Sequence, residues 1–126
     1  MDAAEALAEL TELSSQVERA VVLRADGSVV AATPENDAAA STLARAALDV
    51  LASAFELRSS PQEVTRVEVE LEEGALFVLR EGGRTIAAVT GPQPTAGLVA
   101  YDLRTCLERI EPDKPKRRSR AKAADA

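Results

Sequence analysis

From Asp37 to Arg58 the apolar residues recur at helical spacing, and the stretch DAAASTLARAALDVLASAFELR contains no Gly or Pro. Ala and Leu dominate it, and both are strong helix formers. Asn36 or Asp37 can cap its start, because a short side-chain oxygen there accepts from an orphan backbone N–H. Two apolar stripes run side by side along this helix. Leu43, Ala47, Val50, Ala54 and Leu57 follow one seam, and Ala44, Leu48, Leu51 and Phe55 follow the next. The polar side keeps Ser41, Arg45, Asp49 and Glu56. One stripe suffices for a helix lying on a sheet. A second predicts a second partner, expected to be another copy of the chain.

The pattern elsewhere predicts two more helices and five strands. Ala3, Ala6, Leu7, Leu10, Leu13 and Val17 share a face, which places a first helix over about residues 3–14 with Asp2 and Glu5 at capping-box spacing. Ala20-Val21-Val22-Leu23 is an unbroken apolar run between Arg19 and Arg24, expected to be covered on both faces. Asp26-Gly27 turns the chain into Val29-Val30-Ala31-Ala32, and Thr33-Pro34 stops that strand. From Arg66 to Leu71 apolar and charged residues alternate strictly, so one side is buried and the strand suits a sheet edge. A Glu73-Gly74 turn leads into Ala75–Leu79, Gly82-Gly83 makes a hairpin, and Thr85–Val89 is the last strand. After Gly91-Pro92-Gln93-Pro94, Thr95 is placed to cap a final helix lined by Val99, Leu103, Cys106 and Ile110, with Leu98 and Leu107 at its margins.

The fold class is therefore α+β, in the order α-β-β-α-β-β-β-α. Tight turns make the five-stranded sheet antiparallel. Strands apolar on both faces require helices on both faces, the first and last together and the long one opposite.

Charge divides the chain into an acidic body and a basic end. Overall it carries −6 in 126 residues. From Pro112 onward six cationic side chains face Asp113 and Asp125, a net of +4, which leaves −10 on Met1–Glu111. Residues 1–111 form one domain, and 112–126 lack apolar periodicity and are expected to be a disordered basic tail. The tail's charge suits nucleic acid, an anionic membrane or an acidic partner, or serves only to solubilise. With aromatics at 2 %, base stacking has little to work with, and nucleic-acid or membrane contact is the less favoured reading. The acidic amino terminus is not a secretory signal, and no stretch is expected to reach the length of a membrane span. The location expected is cytoplasmic.

Catalytic chemistry finds no foothold. His is absent, Lys is confined to the end segment, and no nucleophile–base pair can be assembled. Cys106 sits among Leu103, Leu107 and Ile110 and is read as a core thiol. Asp26 is read as a turn former, and Gly91–Gly97, without a Lys-Ser/Thr, as a breaker and cap rather than a phosphate loop. Glu68, Glu70, Glu72 and Glu73 are read as a solvated edge, since a cation site needs converging ligands from a shaped loop. No catalytic residue, no metal, no cofactor and no small-molecule substrate are expected.

Two segments carry a family resemblance. VERAVVLRADGSVVAAT (Val17–Thr33) sets an apolar strand, an Asp-Gly turn and a small-residue strand in succession, and GPQPTAGLVAYDLRTCLERI (Gly91–Ile110) is a Gly-rich lead-in to a closing amphipathic helix. With the Ala/Leu-rich central helix between them, the chain resembles the Roadblock/LC7 family, a profilin-like fold, and in particular its MglB-like bacterial members. The resemblance spans about Ala6–Ile110 and excludes the basic tail.

It implies a homodimer in which central helices pack together and third strands pair across a twofold axis, joining two sheets into one. The interface then includes Leu43, Ala47, Val50, Ala54 and Leu57 on the helix with Val67 and Val69 on the strand. It also implies a regulator of Ras-like small GTPases, whose hydrolysis such proteins stimulate without an arginine finger by reshaping the GTPase's own switch regions. Arg45, Asp49 and Glu56, polar and beside the seam, are the candidate GTPase contacts. The alternatives are a scaffold dimer that leaves GTPase turnover unchanged, and a dimer whose tail tethers it.

Overall fold

The computed structural model describes residues 1–58 and 65–112. Three helices and five strands follow the expected order: α1 (Ala3–Leu13), β1 (Val17–Leu23), β2 (Val29–Thr33), α2 (Asp37–Leu57), β3 (Arg66–Leu71), β4 (Gly74–Glu81), β5 (Arg84–Thr90) and α3 (Ala96–Arg109). The strands form one antiparallel sheet in the order β2-β1-β5-β4-β3. Ser59, Ser60, Pro61 and Val64, and the tail from residue 113, lie outside the described residues.

Local chemistry explains the element ends. Asp2 and Glu5 close a reciprocal capping box on α1, the Asp2 carboxylate accepting from the Glu5 N–H at 2.8 Å. Asn36 rather than Asp37 caps α2, its side chain accepting from the Ala39 N–H at 3.0 Å. Thr95 stands at the start of α3 but makes no side-chain cap; its backbone N–H donates instead to Gln16 Oε1. Gly82 and Gly83 adopt φ of 62° and 80°, the positive values a two-residue hairpin needs. The β3–β4 turn is Glu72-Glu73, one residue earlier than the sequence suggests. Gly74 opens β4, and only glycine fits there because a Cβ would lie 2.1 Å from the Thr90 carbonyl oxygen.

Each face of the sheet has its own core. α1 and α3 cover one side, where Leu7, Leu10, Val99 and Leu103 meet Val22, Phe77, Leu79 and Ile86. α2 covers the other, setting Leu43, Ala44, Ala47 and Leu51 against Val21, Leu23, Val78 and Ala87. A bulge between Val17 and Arg19 shifts the alternation of β1, so Val17 and Ala20 fall on the same side. β2 is an edge strand, with Val29 exposed and Val30–Thr33 half-buried. α3 rotates slightly, since Leu107 is buried while Leu98 is half exposed.

Candidate docking surface

α2 carries the residues that matter most here, and its orientation corrects the sequence reading. Leu43 and Ala47 from one predicted stripe, and Ala44 and Leu51 from the other, are all buried against the chain's own sheet. The two stripes are two halves of one buried face, because a helix on a sheet settles with a ridge on either side of its contact line. Ala47 is thus taken up inside the chain, and Leu43, largely buried, shows only its margin to the groove described below. Val50 and Ala54 are half-buried, and Val50 packs on the core. Leu57 is 85 % exposed. Leu48, 40 % exposed, lies against the β1–β2 turn at Gly27.

The apolar surface left open lies beside α2, over the outer strands. Val67 and Val69 pair with Val78 and Leu76, which places all four on the α2 side of the sheet. α2 touches β3 and covers these residues only in part. A groove of about 340 Å³ runs between Thr42, Leu43 and Ala46 on the helix and Leu71, Leu76 and Val89 on the sheet. Leu71 at its end is 53 % exposed. Beyond it β3 is the edge of the sheet, with β4 as its one partner strand among the described residues. The sequence pointed to Val67, Val69, Val50 and Leu57 but missed Thr42, Ala46, Leu71 and Leu76. Thr42 and Ala46 look unremarkable in a helical pattern, and Leu76 sits within a run that reads as fully covered.

Arg45, Asp49 and Glu56 are exposed on the side of α2 facing away from the sheet. Arg45 and Asp49 stand four residues apart, hence on the same helix face. At the C-terminal end, Phe55 is flanked by two guanidinium groups, Arg58 at 4.7 Å and Arg80 at 5.8 Å from the ring centre. These contacts tie the end of α2 to β4.

The remaining candidates have structural roles. Cys106 is buried under α3, and loss of hydration pushes its thiol up to about 11. The Asp26 carboxylate accepts from the Ser28 hydroxyl and backbone N–H, which holds it below the usual range and fixes the β1–β2 turn. Glu68 and Glu70 lie along the β3 edge, with Glu68 paired to Arg66 at 2.6 Å. Contrary to expectation, α2 has the length and apolar composition of a membrane span. Its contacts with Val21, Leu23, Val78 and Ala87 make it a core helix of the domain.

These features define a three-layer, profilin-like α+β domain that presents a partly covered sheet, the β3 edge and the outer side of a helix. The Roadblock/LC7 domain model matches residues 3–90. The chain belongs to the Roadblock/LC7 family. Its fold is similar to a Roadblock/LC7 domain from Streptomyces avermitilis, with TM-score 0.75 and 23 % identity over 86 % of this chain and 93 % of that one. It is also similar to the gliding protein MglB of Thermus thermophilus, with TM-score 0.62 and 21 % identity over 84 % and 83 %. LokiProfilin2, solved in complex with rabbit actin, shares the fold with TM-score 0.59 and 12 % identity over 83 % and 92 %. No curated protein sequence matches the chain.

Proposed function

We propose that this protein is a cytoplasmic homodimeric adaptor that binds a Ras-like small GTPase and promotes GTP hydrolysis without an arginine finger. The observation that carries the reading is the half-covered side of the sheet beside α2, ending in the β3 edge. A second copy related by a twofold axis fits it. Antiparallel pairing of β3 centred on Glu68 sets Arg66 opposite the partner's Glu70, twice, and Val67 opposite the partner's Val69. Glu68 then faces its own copy, the one unfavourable pair. The second α2 covers Val50, Leu57, Leu71 and Leu76. Membership of the family supports this arrangement.

In such a dimer the outer sides of both α2 helices lie on one surface, and Arg45, Asp49 and Glu56 offer charges of both signs to the GTPase. The chain supplies no catalytic group in this reading and acts by fixing the switch regions of its partner. The test is a titration of small GTPases from the same genome, in GDP and GTP forms, with hydrolysis followed in parallel. Binding that favours GTP and accelerated turnover support the proposal. Tight binding with unchanged turnover identifies a scaffold instead, and binding to none of them removes the GTPase from the reading.

A further inference from the structure

The two edges of the sheet are built differently. β3 alternates Arg66, Glu68 and Glu70 with apolar residues, whereas β2 (VVAAT) has no charge at all. Charged side chains keep an edge from pairing indiscriminately, and β2 lacks that protection. Among the described residues β1 is its one partner strand. The strand is nonetheless braced on both sides. Val30 and Ala31 pack on the core under α1 and α3, and Ala32 packs on the core under α2. Its extended geometry is thus set before anything binds, so an added strand does not have to order it.

A shallow groove of about 590 Å³ runs along Val29, Val30, Ala31 and Ala32 to the start of α2. The only charged residues lining it are Glu35 and Asp37, both exposed. Two negative charges there outweigh the roughly half a positive charge of the α2 N-terminus beside them. The groove is apolar along the strand and anionic at one end.

We propose that β2 is a docking edge for an extended segment of another protein, apolar in its body and preceded by Lys or Arg. Every strand pair in this sheet is antiparallel. A strand added in the same sense enters beside Thr33 and leaves beside Val29. Its leading residues therefore lie at Glu35 and Asp37, which is why the cations come first. Backbone pairing along β2 supplies affinity, and the two carboxylates fix direction and partner. A second copy fits this edge less well. Two β2 strands paired antiparallel about Ala31 bring Glu35 and Asp37 of one chain to the β1–β2 turn of the other, where Arg24 and Asp26 cancel. No net cation meets the carboxylates, and residues 1–111 carry −10. This edge lies at the opposite end of the sheet from β3, so the inference does not rest on the dimer or on the GTPase.

The test titrates the isotope-labelled full chain with an end-blocked peptide, two arginines followed by Val-Thr-Val-Thr-Val, and follows amide resonances. Shifts confined to residues 28–37 and the adjoining strand β1, with exchange of the β2 amides slowed, are the expected result. Affinity should fall about fivefold when Glu35→Gln and Asp37→Asn are combined, as two exposed ion pairs allow. It should fall at least as far when glutamates replace the peptide's arginines. Retained peak dispersion shows that the variant is folded. Shifts centred on Arg66–Leu71, equal affinity for the two peptides, or no shifts at all overturn the proposal. So do β2 amides that already exchange slowly without peptide, because the edge is then held by a second copy or by the chain itself.

Discussion

Two helices cover one face of this sheet and a single helix covers the other. On the first face α1 and α3 lie together over Ala20, Val22, Phe77, Leu79 and Ile86, and the chain closes that core by itself. On the second, α2 seals Val21, Leu23, Val78 and Ala87 but leaves Val67, Val69 and Leu76 only half-buried. The sheet is five strands wide, roughly 24 Å at ~4.8 Å per strand, and a helix with its side chains covers ~10–12 Å. One helix cannot span it. The half-covered side is where the proposed second copy would pack, and the fully covered face is the control against which it can be probed.

The largest effect is expected on the covered face. Phe77→Ala removes a ring that is 1 % exposed, in a core the chain completes alone. It should cost about 3–5 kcal/mol, measured by urea unfolding. The matching truncation on the open face, Leu57→Ala, should cost the isolated chain less than about 0.5 kcal/mol. A loss of similar size at both positions would mean that the faces do not differ.

Next in size is the loss of association. Val67→Asp puts a charge where the second copy would pack, and an unpaired charge there is costly to desolvate. Because Val67 is half-buried in the single chain, the fold should survive. Light scattering should then report 13.3 kDa rather than twice that mass. Val50→Glu should also break the pair, but with a loss of fold stability, since Val50 packs on the α2 core. A dimer that persists in both variants places the interface elsewhere.

Smaller again is the effect on the outward side of α2. Arg45→Glu combined with Asp49→Lys reverses two exposed charges. GTPase affinity should fall about tenfold, near 1.4 kcal/mol, while the mass of the dimer and its unfolding midpoint stay in place. Unchanged affinity would move the GTPase off this surface.

The order of elements and the division of helices between faces were legible because hydrophobic period changes with secondary structure. Alternation from Arg66 to Leu71 identified one edge strand correctly. The edge position of β2 was not legible, because its small apolar residues, Ala31 and Ala32, carry no alternation that tells an edge from a centre. The width of α2's buried face misled. Leu43–Ala47 and Ala44–Leu51 lie on either side of one contact line, so a double stripe is what a single sheet contact produces. The proposed second copy is argued instead from the open strands beside the helix, which no periodicity in α2 could reveal. Arg45, Asp49 and Glu56 were legible as exposed because the charged side of a helix faces away from its apolar one.

The finest test of the covered face is a titration. Cys106 is 5 % exposed under α3, and its thiol rises from 9.0 to about 11 because burial disfavours the thiolate. A group whose folded pKa is raised contributes stability below its unfolded pKa and loses it as pH climbs through the folded value. The window is therefore pH 9 to 11, from the two values for this thiol. Cys106→Ala should be less stable than the parent at pH 8 because it leaves a small cavity. The gap should narrow steadily across the window, since the parent alone pays to keep its thiol protonated. Every other side chain is common to the two proteins, so the difference between them isolates Cys106. A gap that stays constant to pH 11 would show that water reaches the thiol, and that the face closed by two helices is no better sealed than the one closed by α2.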